Sequence, residues 1–177
     1  MVFTIVVCGF DARCTLEVDD ASETRSEKLI RLIRTSRFGI HDISRTEVNE
    51  NHLPRFNMPY EFGLFMGFKH SGSVTQKQKA VLVLDREPYR YQQFLSDIAG
   101  QDIRSHSGQP HELIRQVRHW LQAQVNRDLF GASRLIADFE WFVSDIPSLL
   151  GKLHKSEQDL GNFRDFYRLV GDWIQES

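Results

Sequence analysis

Three runs of consecutive apolar and β-branched residues stand out in an otherwise mixed sequence. They lie at residues 3–8, 38–43 and 80–84. Runs of this length without alternation are typical of strands that are buried on both faces of a parallel sheet. Apolar residues at helical spacing separate the first two runs. The order strand, helix, strand predicts a βαβ unit with a right-handed crossover.

The helices are predicted from the same pattern and from the residues that flank it. Asp20 to Glu23 has the spacing of a capping box and precedes the first helix. Further helices are predicted to start at Pro59 and at Pro110, because proline favours the first helical position. Beyond residue 125 two apolar stripes follow, and Pro147 is expected to interrupt the first of them. The C-terminal part is therefore predicted to be a helical hairpin.

The number of strands bears on the fold class. Three strands make a thin sheet for a doubly wound fold, which usually has four or five. The short segments Thr15–Val18 and Asp102–Arg104 are candidates for additional strands. The alternative is that another subunit completes the sheet.

Composition and charge limit the type of protein and the partners that it is expected to bind. The chain has 177 residues, and its 41% hydrophobic and 11% aromatic content is typical of a globular domain. A formal charge of −2 gives no general attraction for nucleic acid or for an anionic membrane. The first apolar run is too short to span a bilayer and follows no basic leader, which indicates a cytoplasmic protein. Cys8 and Cys14 are expected to be reduced, and no histidine pair has metal-binding spacing.

Glu61 is the candidate catalytic residue. With Pro59 at the first helical position, Glu61 falls in the first turn of its helix, beside the crevice that forms at strand ends in α/β sheets. A carboxylate in a first turn also stabilises the helix by roughly 0.3–1 kcal/mol. Capping is therefore the structural alternative to catalysis. Gly63 and Gly67 lie four apart on one helix face, which indicates close approach of a ligand or tight packing on the sheet.

Polar residues at the ends of the predicted strands form a second candidate group. Carboxylates there accept the hydroxyl protons of a ribose, and arginine binds phosphate oxygens. Together with the residues at the entry to the Glu61 helix, the predicted substrate-binding residues are Phe10, Asp11, Asp42, Ser44, Arg45, Asn57, Tyr60 and Asp85. Strand-end aspartates also form turns and cap helices. A third interpretation is a Mg²⁺ pocket formed by Asp11, Asp42 and Asp85. Separately, a basic loop is predicted at residues 69–79, and it is either solvated or in contact with phosphate.

Three motifs resemble a known group of proteins. They are HDISR at His41–Arg45, LPRFNMPYEFGL at Leu53–Leu64, and SDIAGQD at Ser96–Asp102 followed by His106. These motifs resemble Toll/interleukin-receptor-like (TIR-like) domains and the nucleoside 2-deoxyribosyltransferase-like fold. The closest resemblance is to a group of uncharacterised bacterial TIR-like proteins, over roughly residues 3–125. The resemblance implies a flavodoxin-like parallel sheet and a catalytic role for Glu61. Compared with the full fold that the resemblance implies, the chain is expected to begin one strand later, so that an N-terminal strand and helix are missing.

The resemblance implies a hydrolase that cleaves an N-glycosidic bond, with NAD as substrate and no cofactor, in antiviral defence of bacteria. It also implies activation by homo-oligomer assembly or by a protein partner. The implied division is a TIR-like α/β domain at residues 1–125 and a helical extension at residues 126–177. The alternative is a non-catalytic TIR-like module that binds a nucleotide or a protein.

Overall fold

The computed structural model describes residues 1–46 and 55–176, and it shows an α/β protein with a small parallel sheet. Contacts divide the chain into two compact units. We call residues Glu23–Gln116 the sheet unit, and Met1–Ser22 together with Val117–Ser177 the helical unit. This division differs from a boundary at residue 125, because both ends of the chain belong to the helical unit. The assignment of a TIR-like domain and an extension stays a prediction.

The sheet contains three parallel strands in the order β1 (Phe38–Asp42), β2 (Ala80–Asp85) and β3 (Arg104–Ser105). The register pairs Asp42 with Leu84, and Asp85 with Ser105. All three carboxyl ends therefore lie at one edge of the sheet, where the chain leaves a crevice in folds of this class. The predicted strands at residues 38–43 and 80–84 are confirmed, and the candidate at Asp102–Arg104 is found one to two residues later, as β3.

The helices of the sheet unit are α2 (Arg25–Thr35), α3 (Asn57–Ser71), α4 (Val74–Lys77) and the first part of α5 (Pro110–Gln124). The capping box of α2 is formed by Thr24 and Glu27, so the prediction of a box at residues 20–23 is wrong. Likewise, α3 and α4 occupy most of the segment that was predicted to be a basic loop at residues 69–79. Short 3-10 turns at Arg90–Gln93 and Ser96–Ile98 connect β2 to β3.

Helix α3 packs along β1, from near the start of the strand to the residue after its end. The ring of Phe65 lies so close to Gly39 that a Cβ atom there would be 2.7 Å from it. Phe62 shares a buried cluster with Ile43, Val83 and Tyr91. Because Ile43 directly follows β1, this cluster places the first half of α3 beside the carboxyl end of that strand.

The helical unit consists of α1 (Val2–Val7), the end of α5, α6 (Ala132–Lys152) and α7 (Phe163–Glu176), with a 3-10 turn at Thr15–Glu17 and another at Glu157–Gly161. The prediction of a first strand at residues 3–8 is wrong, because this run is α1. A short apolar run fits a buried helix as well as a strand, and periodicity does not separate the two. Phe3 of α1 stacks on Phe142 of α6 at 5.2 Å and contacts Trp173 of α7 at 5.8 Å. Packing in a helical core therefore decides the conformation.

Two further sequence expectations fail in the helical unit. Thr15–Val18 forms no strand, and three of its residues lie in a 3-10 turn. Pro147 lies inside α6 and does not end it. Phe142 and Leu149 lie on either side of Pro147 and share one buried cluster with α7. Their packing favours a continuous helix despite the hydrogen bond that a proline removes.

None of the helices in the described part of the chain combines the length and the hydropathy that crossing a membrane requires.

Candidate functional site

Glu61 does not cap its helix. Helix α3 begins at Asn57, so Pro59 is its third residue and Glu61 its fifth. The first turn contains no acidic residue, and no side chain of the described residues caps the helix start. The favourable effect of the helix dipole is confined to the first turn. The capping interpretation of Glu61 is therefore wrong.

The carboxylate of Glu61 is half-buried and weakly paired. Its side chain is 15% exposed, and among the described residues the nearest cation is the Nη2 atom of Arg25, at 3.9 Å from Oε1. Burial raises the pKa of Glu61, and the positive charge of Arg25 opposes this shift. The glutamate is thus held in a partly desolvated position without a strong ion pair.

The surrounding elements place Glu61 at the carboxyl-end side of the sheet. Its chain neighbour Phe62 packs with Ile43, directly after β1. Arg25 is the first residue of α2, which is joined to β1 by two residues and therefore runs back along the strand. Both elements are roughly 16 Å long, so the start of α2 returns to the level of the end of β1. Glu61 and Arg25 meet at that level.

A closed set of hydrogen bonds joins the ends of the three strands. We call it the strand-end network. Asp42 Oδ1 accepts the Ser44 amide at 3.0 Å, and the Ser44 carbonyl accepts Arg90 Nη2 at 2.9 Å. Arg90 Nε donates to Asp85 Oδ1 at 2.9 Å, and the Asp85 carbonyl accepts the His106 amide at 3.1 Å. His106 Nε2 lies 3.4 Å from Asp42 Oδ1, which closes the circuit.

Asp85 and Arg90 form the buried part of the strand-end network. Asp85 is fully buried, and its Oδ1 atom also accepts the Arg86 amide at 2.7 Å. Arg90 additionally donates to the Ile43 carbonyl and to Thr46 Oγ1. Five N–H donors in a fixed plane allow arginine to make so many bonds at once. Arg90 is thus occupied in holding β1 to β2.

Asp42 is the accessible carboxylate of the strand-end network, and His106 lies buried beside it. The Asp42 side chain is 26% exposed, whereas that of His106 is 9% exposed. The Gly108 amide donates to His106 Nδ1 at 3.1 Å. The Nδ1 atom is therefore the acceptor of the neutral ring, which assigns the proton to Nε2, the atom that faces Asp42.

The structure brings only some of the predicted binding residues into this network. Asp42, Ser44 and Asp85 belong to it. Arg45 is exposed after the end of β1, whereas Asn57 and Tyr60 are exposed on α3. The first two residues of the motif Leu53–Leu64 lie outside the described residues.

Phe10 and Asp11 do not follow a strand, because the segment before them is α1. They belong to the helical unit. There the guanidinium of Arg127 lies over the Phe10 ring at 5.1 Å, and the Tyr167 hydroxyl donates to Asp11 Oδ1 at 3.3 Å. The reason for placing both residues at the strand-end crevice is therefore lost.

Gly63 and Gly67 do not pack on the sheet, since a Cβ atom at either position would meet no atom of a described residue within 4 Å. Tight packing of this face on the sheet is excluded as their explanation. They line an open groove of about 500 Å³ together with Tyr60, Leu64 and Phe68 of the same helix, next to Ser71 and Gly72.

The three-aspartate Mg²⁺ interpretation finds no support. Within residues 1–46 and 55–176, no group of three or more His, Cys, Asp or Glu side chains is arranged to hold a metal ion. Asp85 Oδ1 is already engaged by Arg90, and Asp11 by Tyr167.

The sequence interpretation missed two members of the site. Arg90 lies five residues after the strand-end Asp85, in a segment that the sequence predicts to be a short aromatic helical turn or helix over residues 89–98. An arginine close behind a strand-end aspartate is a usable signal, because a buried carboxylate needs a partner. His106 stands in the third motif, but only the parallel pairing of β3 with β2 brings it to Asp42.

Comparison of the chain with family models, with curated proteins and with solved structures gives no match.

Proposed function

We propose that the protein is a nucleotide N-glycosidase that hydrolyses the nicotinamide–ribose bond of NAD, with Glu61 as the catalytic residue. The observation that carries the proposal is the state of Glu61. It is a half-buried carboxylate that lies beyond the first turn of its helix, and its nearest cation among the described residues is 3.9 Å away, at the carboxyl-end side of a parallel sheet. The resemblance of the three motifs to TIR-like proteins adds the substrate class. The proposed setting is a flavodoxin-like domain with a C-terminal helical hairpin, in a cytoplasmic antiviral defence system.

The chemistry requires little more than one carboxylate. When the C1′–N bond breaks, its electron pair passes to the cationic pyridinium ring, and nicotinamide leaves as a neutral base. The ribose is left with oxocarbenium character. A carboxylate below C1′ stabilises this charge or attacks to form a glycosyl ester. Water then adds to C1′ and loses a proton, so that the products are nicotinamide and ADP-ribose.

Arg25 favours the charged form of the Glu61 carboxylate. Burial alone favours the protonated form of Glu61, which would have no charge to offer. The positive charge of Arg25 acts in the opposite direction. At 3.9 Å, and with 63% of the arginine side chain exposed, this contact is too weak to hold the carboxylate firmly.

The substitution Glu61→Gln tests the proposal. Nicotinamide release from NAD should fall at least about 100-fold, because the amide has no charge to stabilise the transition state. The free energy of unfolding at neutral pH should not fall, because burial raises the pKa of Glu61 and its ionised form therefore opposes folding. Glu87→Gln, a change on the exposed surface of the same unit, is the matched control. Equal release by the wild type and by Glu61→Gln would disprove the catalytic role.

A second candidate is a non-catalytic module that acts by assembly with another protein. The open groove on α3 favours it, because Tyr60 is 53% exposed and lies beside the bare glycines 63 and 67. Exposed aromatic surface next to small residues is typical of protein contacts. If the wild type releases no nicotinamide at concentrations at which it self-associates, and Tyr60→Ser abolishes the association, the module is the better description.

A further inference from the structure

We propose that Asp42 is the acceptor for the vicinal hydroxyls of a ribose and that His106 is the residue that positions it. The proposal rests on the proposed function for its ligand class and adds a specificity, ribose over 2-deoxyribose. Among the members of the strand-end network, Asp42 is the carboxylate with an accessible surface, since Asp85 is fully buried.

The geometry restrains Asp42 from two directions. The Ser44 amide approaches Oδ1 at 3.0 Å from the same loop, and His106 Nε2 approaches it at 3.4 Å from the loop after β3. His106 is itself fixed, because its Nδ1 atom accepts the Gly108 amide and its own amide donates to Asp85. Both of these contacts with described residues use Oδ1, and Oδ2 is the atom proposed to accept the hydroxyls.

A fixed carboxylate suits the hydroxyl pair of a ribose. Each hydroxyl donates one hydrogen bond, and bonds to a charged acceptor are stronger than neutral ones. A sugar without the 2-hydroxyl loses one such bond, while its phosphate and its 3-hydroxyl are unchanged. If Asp42 rotates freely, it follows either sugar, and discrimination falls. Loss of positioning by His106 therefore lowers the affinity for ribose and reduces the ratio of the two affinities.

Titration of the full chain with ribose 5-phosphate and with 2-deoxyribose 5-phosphate, followed by NMR chemical shifts, tests the proposal. The wild type should bind the ribose compound about tenfold more tightly, which is the effect of one charged hydrogen bond. Asp42→Asn and His106→Ala should bring the two affinities together. His106→Gln, whose amide N–H replaces the Nε2–H donor, should restore a preference for ribose. Asp97→Asn, on the exposed surface of the sheet unit, is the control.

Each outcome decides the matter. Equal affinities in the wild type, or binding of neither sugar, overturns the proposal. A purely structural role of His106 would lower the melting temperature of His106→Ala and leave the ratio of affinities intact, which also overturns it. Failure of the proposed function can be distinguished from failure of this proposal. Sugar discrimination that persists without release of nicotinamide from NAD refutes hydrolysis alone, and Glu61-dependent release without discrimination refutes the role of Asp42 and His106.

Discussion

Two carboxylates at the carboxyl edge of this sheet have different roles, because their charged partners differ. Asp85 is fully buried and bonded to Arg90, so it serves the architecture. Glu61 is half-buried, and within residues 1–46 and 55–176 its ion-pair partner is the distant Arg25, so we expect its charge to be available. The sequence predicted both positions as site residues. It did not separate their roles, because the partners Arg90 and Arg25 come from other segments of the chain.

His41 provides a prediction at the residue scale. It lies in the core against the rings of Phe62 and Phe65, at 5.6 and 5.4 Å, and its Nε2 atom has no hydrogen-bond partner among the described residues. Burial lowers the pKa of His41 from 6.5 to about 4. The unfolded chain therefore binds a proton more readily than the folded chain does. Stability is complete above pH 6.5 and falls as the pH drops towards 4, by up to about 3 kcal/mol.

Urea unfolding at pH 7 and at pH 5 measures this effect. His41→Leu fills a similar volume and does not titrate, so its loss of stability between the two pH values should be smaller than that of the wild type. His70→Leu, at an exposed position on α3, is the control and should keep the pH dependence of the wild type. An identical pH dependence in His41→Leu and in the wild type would show that His41 is not the group responsible.

At the element scale, the sequence pattern located most helices and strands, but it misplaced the ends of several and predicted a strand where α1 forms. The strands at 38–43 and 80–84 and the helix before the first of them were predictable, because their apolar periodicity is strong. The capping box was placed four residues too early, since Asp20–Glu23 and Thr24–Glu27 both have the required spacing. Spacing alone cannot tell which of two adjacent boxes forms.

The two candidate caps of α2 give an element-scale prediction. The Thr24 hydroxyl accepts the Glu27 amide at 3.2 Å, and the Glu27 carboxylate accepts the Thr24 amide at 2.8 Å. Thr24→Ala should therefore reduce the free energy of unfolding by about 1 kcal/mol, as loss of a helix cap generally does. Asp20→Ala is the matched comparison and should have a smaller effect. Urea unfolding of both variants measures the difference, and a larger loss in Asp20→Ala would favour the cap that the sequence suggested.

At the scale of the whole molecule, both ends of the chain form one compact unit. Residues 1–22 and 117–177 make up the helical unit, and the sheet unit is the continuous segment between them. A core assembled from distant segments leaves little trace in local patterns. This is why the first apolar run was predicted to be a strand of the sheet.

Phe3 gives the prediction for this scale. It is 2% exposed and joins α1 to α6 and α7 through Phe142 and Trp173. Phe3→Ala should lower the free energy of unfolding by about 3–5 kcal/mol, because it leaves a large cavity in the core. Thermal unfolding followed by tryptophan fluorescence measures the loss. Leu16→Ala removes an apolar side chain that is 64% exposed, and it should be nearly neutral. A small effect of Phe3→Ala would argue against α1 as part of this core.

The sequence by itself determined the α/β class, the two longer strands and the position of Glu61 near the end of the first of them. These features depend on local periodicity and on residue types, which are readable along the chain. Only the tertiary structure decided that residues 2–7 are helical, that Glu61 is not a cap, and that Asp42, Asp85, Arg90 and His106 form one network. The reason is physical. Each of these outcomes depends on contacts between residues far apart in sequence, and such contacts exist only once the sheet and its loops have been assembled.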